Sequence, residues 1–187
     1  LSVRNSSAYI NRALARYHQN NLRGAMSDYD LALDVDPNNF IGHYNRGLLR
    51  AQVGDDNRAI EDFDFVLKVE PDNMMATFNR GLLRDRTGDY SGAIDDYTAV
   101  LDEYPNFLAG YQYRAAARRK IGDLKGADAD EFKVLKAQLD AQNGKKPQTA
   151  SNDEKTRKQS DKNVENYRKI MVADDEDDSS KYKTDYR

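Results

Sequence analysis

The sequence predicts an all-α protein, a solenoid of four helical hairpins followed by a charged extension. Three observations lead there. The run NRGLLR stands at 45–50 and again at 79–84, 34 residues later, with looser forms at 11–16 and 113–118. Pro37, Pro71 and Pro105 keep the same spacing, as do Ala25, Ala59, Ala93 and Ala127. Asn20-Asn21, Gly54-Asp55, Gly88-Asp89 and Gly122-Asp123 fall midway through successive periods, as turn formers do between helices. A fixed period of this length marks stacked helical units, each too small to bury its apolar face alone.

The elements follow in order. Each unit is a helix, a short turn, a second helix, and in the first three a proline that closes it. The units run 6–39, 40–73, 74–107 and 108–141, so the array occupies 1–142. In the first three, an aromatic follows the periodic alanine by four residues, as Tyr29, Phe63 and Tyr97. The fourth departs from this, with Glu131 at that place and Phe132 one step late. Leu33, Leu67, Leu101 and Leu135 are expected to fill the space between helices. The last helix is expected to run on through Leu135 and Leu139 and to cap the stack.

Residues 143–187 form a different segment. They hold few large apolar side chains, many charges and the acidic run DDEDD at 174–178. Such a segment cannot bury enough surface to fold alone. Within it, Val164, Tyr167, Ile170 and Met171 recur at helical spacing. The pattern predicts a short helix near 163–172, docked on the repeats or on a neighbouring molecule, and with it self-association through the extension.

Composition removes several function classes. The chain of 187 residues carries a net charge of −3, which gives no general attraction to nucleic acid. It has no cysteine, so thiolate zinc sites and a cysteine nucleophile are excluded. No apolar run approaches the ~20 residues of a membrane span, so no membrane insertion is expected. His18 and His43 are the only histidines and belong to different units, poor material for a general base or metal site. The DDEDD run lacks the glycine and spacing of a calcium loop. No catalytic residue, metal or cofactor is assigned.

These residues resemble the tetratricopeptide repeat over roughly 6–141. The family's small residue at its eighth position matches Ala13, Gly47, Gly81 and Ala115. Its alanine at position twenty, later aromatic and closing proline match the periodic residues above. The early large aromatic is present as Tyr9 and Tyr111 but replaced by His43 and Thr77. Arginines stand where leucine and tyrosine are usual. The resemblance implies a right-handed superhelix whose concave groove is lined by the first helix of each unit. The NRG-bearing form looks like that of multi-repeat bacterial proteins, which leans the localisation toward the bacterial cell envelope.

The arginines raise three readings: a stripe for a polyanion, a row of catalytic cations, or internal pairing. On a helical wheel Arg46 and Arg50 lie about 40° apart, and Asn45 about 100° from Arg46. The resemblance places the arginine positions against the second helix, away from the groove. Asp28, Asp62, Asp96 and Asp130 recur on the second helices with the same period. A buried guanidinium needs a partner, and a carboxylate can meet its planar fork at two points. Arg12, Arg46, Arg80 and Arg114 are therefore expected to pair with these aspartates.

On the groove side the resemblance implies Ile10, Tyr44, Phe78 and Gln112, then Asn11, Asn45, Asn79 and Tyr113. Leu48 and Leu82 lie nearby, with Ile41 and Met75 at the helix starts. An asparagine amide donates and accepts, so a row of them can hold a peptide backbone without reading its side chains. The family's carboxylate clamp is not expected, because its lysine positions hold Ser7, Ile10, Ile41 and Met75. The sequence thus points to a non-enzymatic scaffold binding an extended peptide or partner helix of a protein partner. The alternatives are a structural segment of a longer repeat array, or an accessory domain of a larger protein.

Overall fold

Short polar side chains start most of the helices and left-handed residues end the first helix of each pair. The computed structural model describes residues 5–145, and among them the chain forms eight α-helices. These are α1 (Ser6–His18), α2 (Leu22–Val35), α3 (Phe40–Gln52) and α4 (Asp56–Val69), then α5 (Met74–Thr87), α6 (Tyr90–Glu103), α7 (Leu108–Lys120) and α8 (Leu124–Gln142). Asn5, Asn21, Asn39, Asp89 and Asp123 each accept a backbone N–H from the first turn of the next helix. Such caps satisfy donors that the helix leaves unpaired. Between the helices of successive pairs, Asn20, Gly54, Gly88 and Gly122 all adopt positive φ, from 59° at Asn20 to 89° at Gly88. Glycine is favoured there because it has no Cβ to clash, and asparagine is the next most tolerant residue.

The helices pair as α1/α2, α3/α4, α5/α6 and α7/α8. The chain divides into two compact units, one holding α1–α4, the other holding α5–α8. In the first unit α2 packs on α3, and in the second α6 packs on α7. All four periodic alanines are fully buried, as are Tyr29, Phe63 and Tyr97. Gly47 and Gly81 bring the paired helices close. A Cβ on Gly81 would stand 3.0 Å from the Tyr97 ring and 3.1 Å from Asp96 Cβ.

Two features of α8 depart from the periodic pattern. Glu131 turns outward and pairs with Arg119 at 2.7 Å, while Phe132 is 65% exposed. Leu33 and Leu101 are buried, but Leu135 is 52% exposed and does not fill an interhelical space. The reason is topological: Leu33 and Leu101 are each covered by the first helix of the following pair, and no described helix comes after α8. The helix does continue through Leu139, to Gln142. The expected helix near 163–172 and the self-association assigned to the extension lie outside the described residues.

Candidate functional site

The arginine motif builds the same ion cluster around a buried aspartate in every pair. Arg12, Arg46, Arg80 and Arg114 each present Nε and Nη2 to the two oxygens of Asp28, Asp62, Asp96 and Asp130, at 2.7 to 3.1 Å. The arginine four residues on joins the same carboxylate. Arg16, Arg50, Arg84 and Arg118 place Nη1 2.7 to 3.1 Å from the second oxygen. That Nη1 also donates to a carbonyl in the first turn of the second helix, from Gly24, Arg58, Gly92 or Gly126. Two helices of a pair are thus tied through one aspartate. The third nitrogen of Arg46 reaches back to Asp30 at 2.9 Å, and that of Arg114 to Thr98 Oγ1 at 3.1 Å. Within each unit, successive pairs are tied as well.

The Asp62 cluster has a further member. His43 Nδ1 lies 2.9 Å from Asp62 Oδ1, and its Nε2 lies 2.9 Å from the Pro37 carbonyl oxygen. The ring stacks on Phe65 with centroids 3.9 Å apart. Tyr111 occupies the corresponding place in α7 and donates its hydroxyl to the Pro105 carbonyl. Burial alone would push the Asp62 carboxyl up, yet the hydrogen bonds from His43 and Arg46 and the charges of Arg46 and Arg50 hold it below its ordinary value. At Arg114 the hydrogen bond to Asp130 raises the guanidinium above its ordinary value against the pull of burial. These cations are spent on internal carboxylates, which is an architectural use.

The groove residues fall in both units. In the first, Ile10, Ile41, Tyr44 and Asn45 are buried, and Asn11 and Leu48 are partly exposed. Tyr44 meets Phe63 edge-on at 5.7 Å. In the second, Phe78 and Asn79 are buried, Met75 and Leu82 are partly exposed, and Gln112 and Tyr113 are exposed. The Asn79 amide donates to the Met75 carbonyl at 2.9 Å. Phe78 lies 5.9 Å from Tyr97, 5.0 Å from Phe107 and 5.7 Å from Tyr113, and Tyr97 and Tyr113 stack at 5.9 Å. Met75 and Leu82 pack against this cluster. The result is an aromatic surface on α5 and α7 whose outermost ring, Tyr113, is 38% exposed.

Models of the tetratricopeptide repeat match residues 6–39 and 44–106, together more than half of the chain. The chain belongs to the tetratricopeptide repeat family. Among solved structures it is similar to a structure of MamA AMB-1, at 20% identity and a TM-score of 0.66, covering 68% of this chain and 70% of that one. It is similar also to MamA from Desulfovibrio magneticus RS-1, at 18% identity and a TM-score of 0.67, covering 73% and 77%. A double mutant of MamA RS-1 gives a TM-score of 0.70 at 18% identity, covering 75% and 79%. At these identities the likeness speaks for the fold. No curated protein matches the sequence. Tetratricopeptide repeat proteins generally mediate protein–protein interactions, and this chain is one of them by fold and repeat pattern. No described helix is long and apolar enough to cross a membrane.

One residue of the aromatic surface was missed by the sequence reading. Phe107 is the residue before α7, the place that Asn5 and Asn39 fill as caps of α1 and α3. It makes no side-chain cap, and its ring packs on Phe78 instead. The break in the asparagine series was the available signal.

Proposed function

We propose that the first helices of the pairs bind an extended peptide or a partner helix of another protein. In the first unit Asn11 and Leu48 would reach the partner, over the buried Ile10, Ile41, Tyr44 and Asn45. In the second Met75, Leu82, Gln112 and Tyr113 would do so, over the buried Phe78 and Asn79. The observation that carries the reading is the aromatic surface of the second unit. There the chain gives up a helix cap, worth about 1 kcal/mol, to place Phe107 on Phe78 beside Tyr113. Local rules are typically broken where function demands it. A rigid, partly open ring such as Tyr113 offers a partner apolar area at little entropic loss. Asn45 and Asn79 are buried, so they would support this surface from beneath rather than meet a peptide backbone.

The test uses the full chain immobilised and a random-peptide display library. Peptides enriched on the parent chain should lose capture on the Tyr113→Ser, Gln112→Ala variant, with circular dichroism showing that it stays folded at the assay temperature. Equal enrichment of the same peptides on both proteins would overturn the assignment.

A further inference from the structure

We propose that the outer face of α8 is a self-association surface, on which two copies of the chain pair their α8 helices antiparallel about a two-fold axis. The argument begins with a periodic leucine. Leu33 is buried where Gly42 of α3 leaves room, and a Cβ there would stand 2.9 Å from Leu33 Cδ2. Leu101 is buried in the same way beneath Gly110 of α7, again at 2.9 Å. Leu135 is the next of the series and is exposed, together with Leu124, Phe132 and Leu139. At 100° per residue these four side chains fall within a sector of about 80°. Such a contiguous apolar stripe marks a contact surface, where single exposed residues would mean nothing.

Spacing and charge on this face choose the occupant. Lys125, Asp128, Phe132, Leu135, Leu139 and Gln142 recur at alternating intervals of three and four, the spacing of a two-helix seam. All of them are exposed. In a parallel pair of copies each seam residue meets itself, so Asp128 would face Asp128 and Lys125 would face Lys125. Like charges so placed repel. An antiparallel pair centred between Lys133 and Val134 removes that clash. It sets Phe132 of each copy against Leu135 of the other, and Gln142 beside Lys125. Asp128 of each copy then comes within a turn of Lys136 of the other, while Arg119 continues to hold its carboxylate at 2.9 Å. Because α8 carries both the acid and the base, one two-fold operation satisfies both ends of the seam. A single helix pair about 28 Å long lies at the low end of specific interfaces, under about 1,200 Å² in total, so the pairing is weak and reversible.

The test is light scattering of the full chain over a concentration series. The average mass should rise toward that of two chains in the parent and stay at one chain in Leu135→Asp. Position 135 is half exposed, so circular dichroism should show the helices retained in that variant. Asp128→Lys should weaken the pairing several-fold, and adding Lys136→Asp to it should restore most of the loss. The chain has no cysteine, so its direction can be read as well. Mild oxidation of a mixture of Lys125→Cys and Gln142→Cys chains should give the mixed disulfide in several-fold excess over either symmetric one. A parent that stays monomeric up to its solubility limit would overturn the proposal, as would association that persists in Leu135→Asp or symmetric disulfides in excess. The chain has no tryptophan, so Phe132→Trp reports on this face alone. An indole shielded from acrylamide while the chain is still a monomer would assign the face to another part of the same chain, and the proposal would fall.

Discussion

Replacing Asp62 by alanine tests whether the arginine motif is structural. Asp62 is 2% exposed and receives Arg46 through two bonds, Arg50 at 2.7 Å and His43 at 2.9 Å. Removing it strands two largely enclosed guanidinium groups and an imidazole. Loss of one partner from a buried ion pair destabilises by about 3 to 5 kcal/mol. Arg46 keeps Asp30 and Arg50 keeps the Arg58 carbonyl, which argues for the lower end, about 3 kcal/mol. Against a typical total of about 5 to 15 kcal/mol, that is a large fraction.

The assay is urea unfolding followed by circular dichroism, together with amide exchange in α3 and α4. With a slope of about 1 to 3 kcal/mol per molar, the midpoint should fall by roughly 1 to 3 M. Exchange locates the loss in one hairpin, because repeat arrays need not unfold as a single step. Arg12→Ala makes the contrast, since Arg12 is half exposed and Asp28 keeps Arg16 at 2.9 Å. It should cost far less than Asp62→Ala, because solvent screens the exposed guanidinium. A second contrast replaces the cluster by apolar groups, through Asp62→Leu, Arg46→Met, Arg50→Leu and His43→Phe. This chain should recover most of the lost stability, since well-packed apolar groups can replace a buried ion cluster. If Asp62→Ala shifts the midpoint negligibly, or the apolar replacement is as unstable as the single variant, the reasoning fails.

Acid should act on the same cluster. The Asp62 carboxyl titrates below its ordinary 3.8 in the folded chain, so its contribution is present above that value and is lost as pH falls through the folded one. The urea midpoint should therefore drop on acidification below about pH 4, and less steeply in Asp62→Ala. Tyr29 and Tyr97 bury hydroxyls that make no hydrogen bond, and burial pushes both well above the ordinary phenol value. Phe63 fills the same place without one, so Tyr97→Phe should raise stability by about 1 kcal/mol in thermal melts. Gly88 has φ of 89° and open space around a Cβ, so Gly88→Ala should cost about 1 kcal/mol through the backbone alone, read as a lower melting temperature. Phe107→Asn should restore a cap to α7 and slow its amide exchange while weakening capture of displayed peptides. Unchanged capture would detach Phe107 from the binding surface.

The parts of the fold that were legible in the sequence are those that depend on one helix or one pair. Helix positions come from the period and the turn residues, and the Arg–Asp partners from charge and spacing. The sharing of each aspartate by a second arginine was not legible. That contact runs over 12 residues where the first runs over 16, and only the packed hairpin brings both to one carboxylate. The depth of Asn45 and Asn79 was hidden for a related reason, since a helical wheel gives a direction and not what lies there. Leu135 carries the same letter as Leu33 and Leu101, but a leucine at that position is buried only when another helix packs over it.

Phe107 differs from these cases, because its anomaly was written in the chain. A residue that should cap α7 through an oxygen is replaced by a ring. Nothing in the helix itself gains by the exchange. The gain lies across the unit, where the ring closes on Phe78 and completes the surface beneath Tyr113. A period therefore informs twice: where it holds it reports the scaffold, and where it breaks against local helix chemistry it marks the side chains to test for binding.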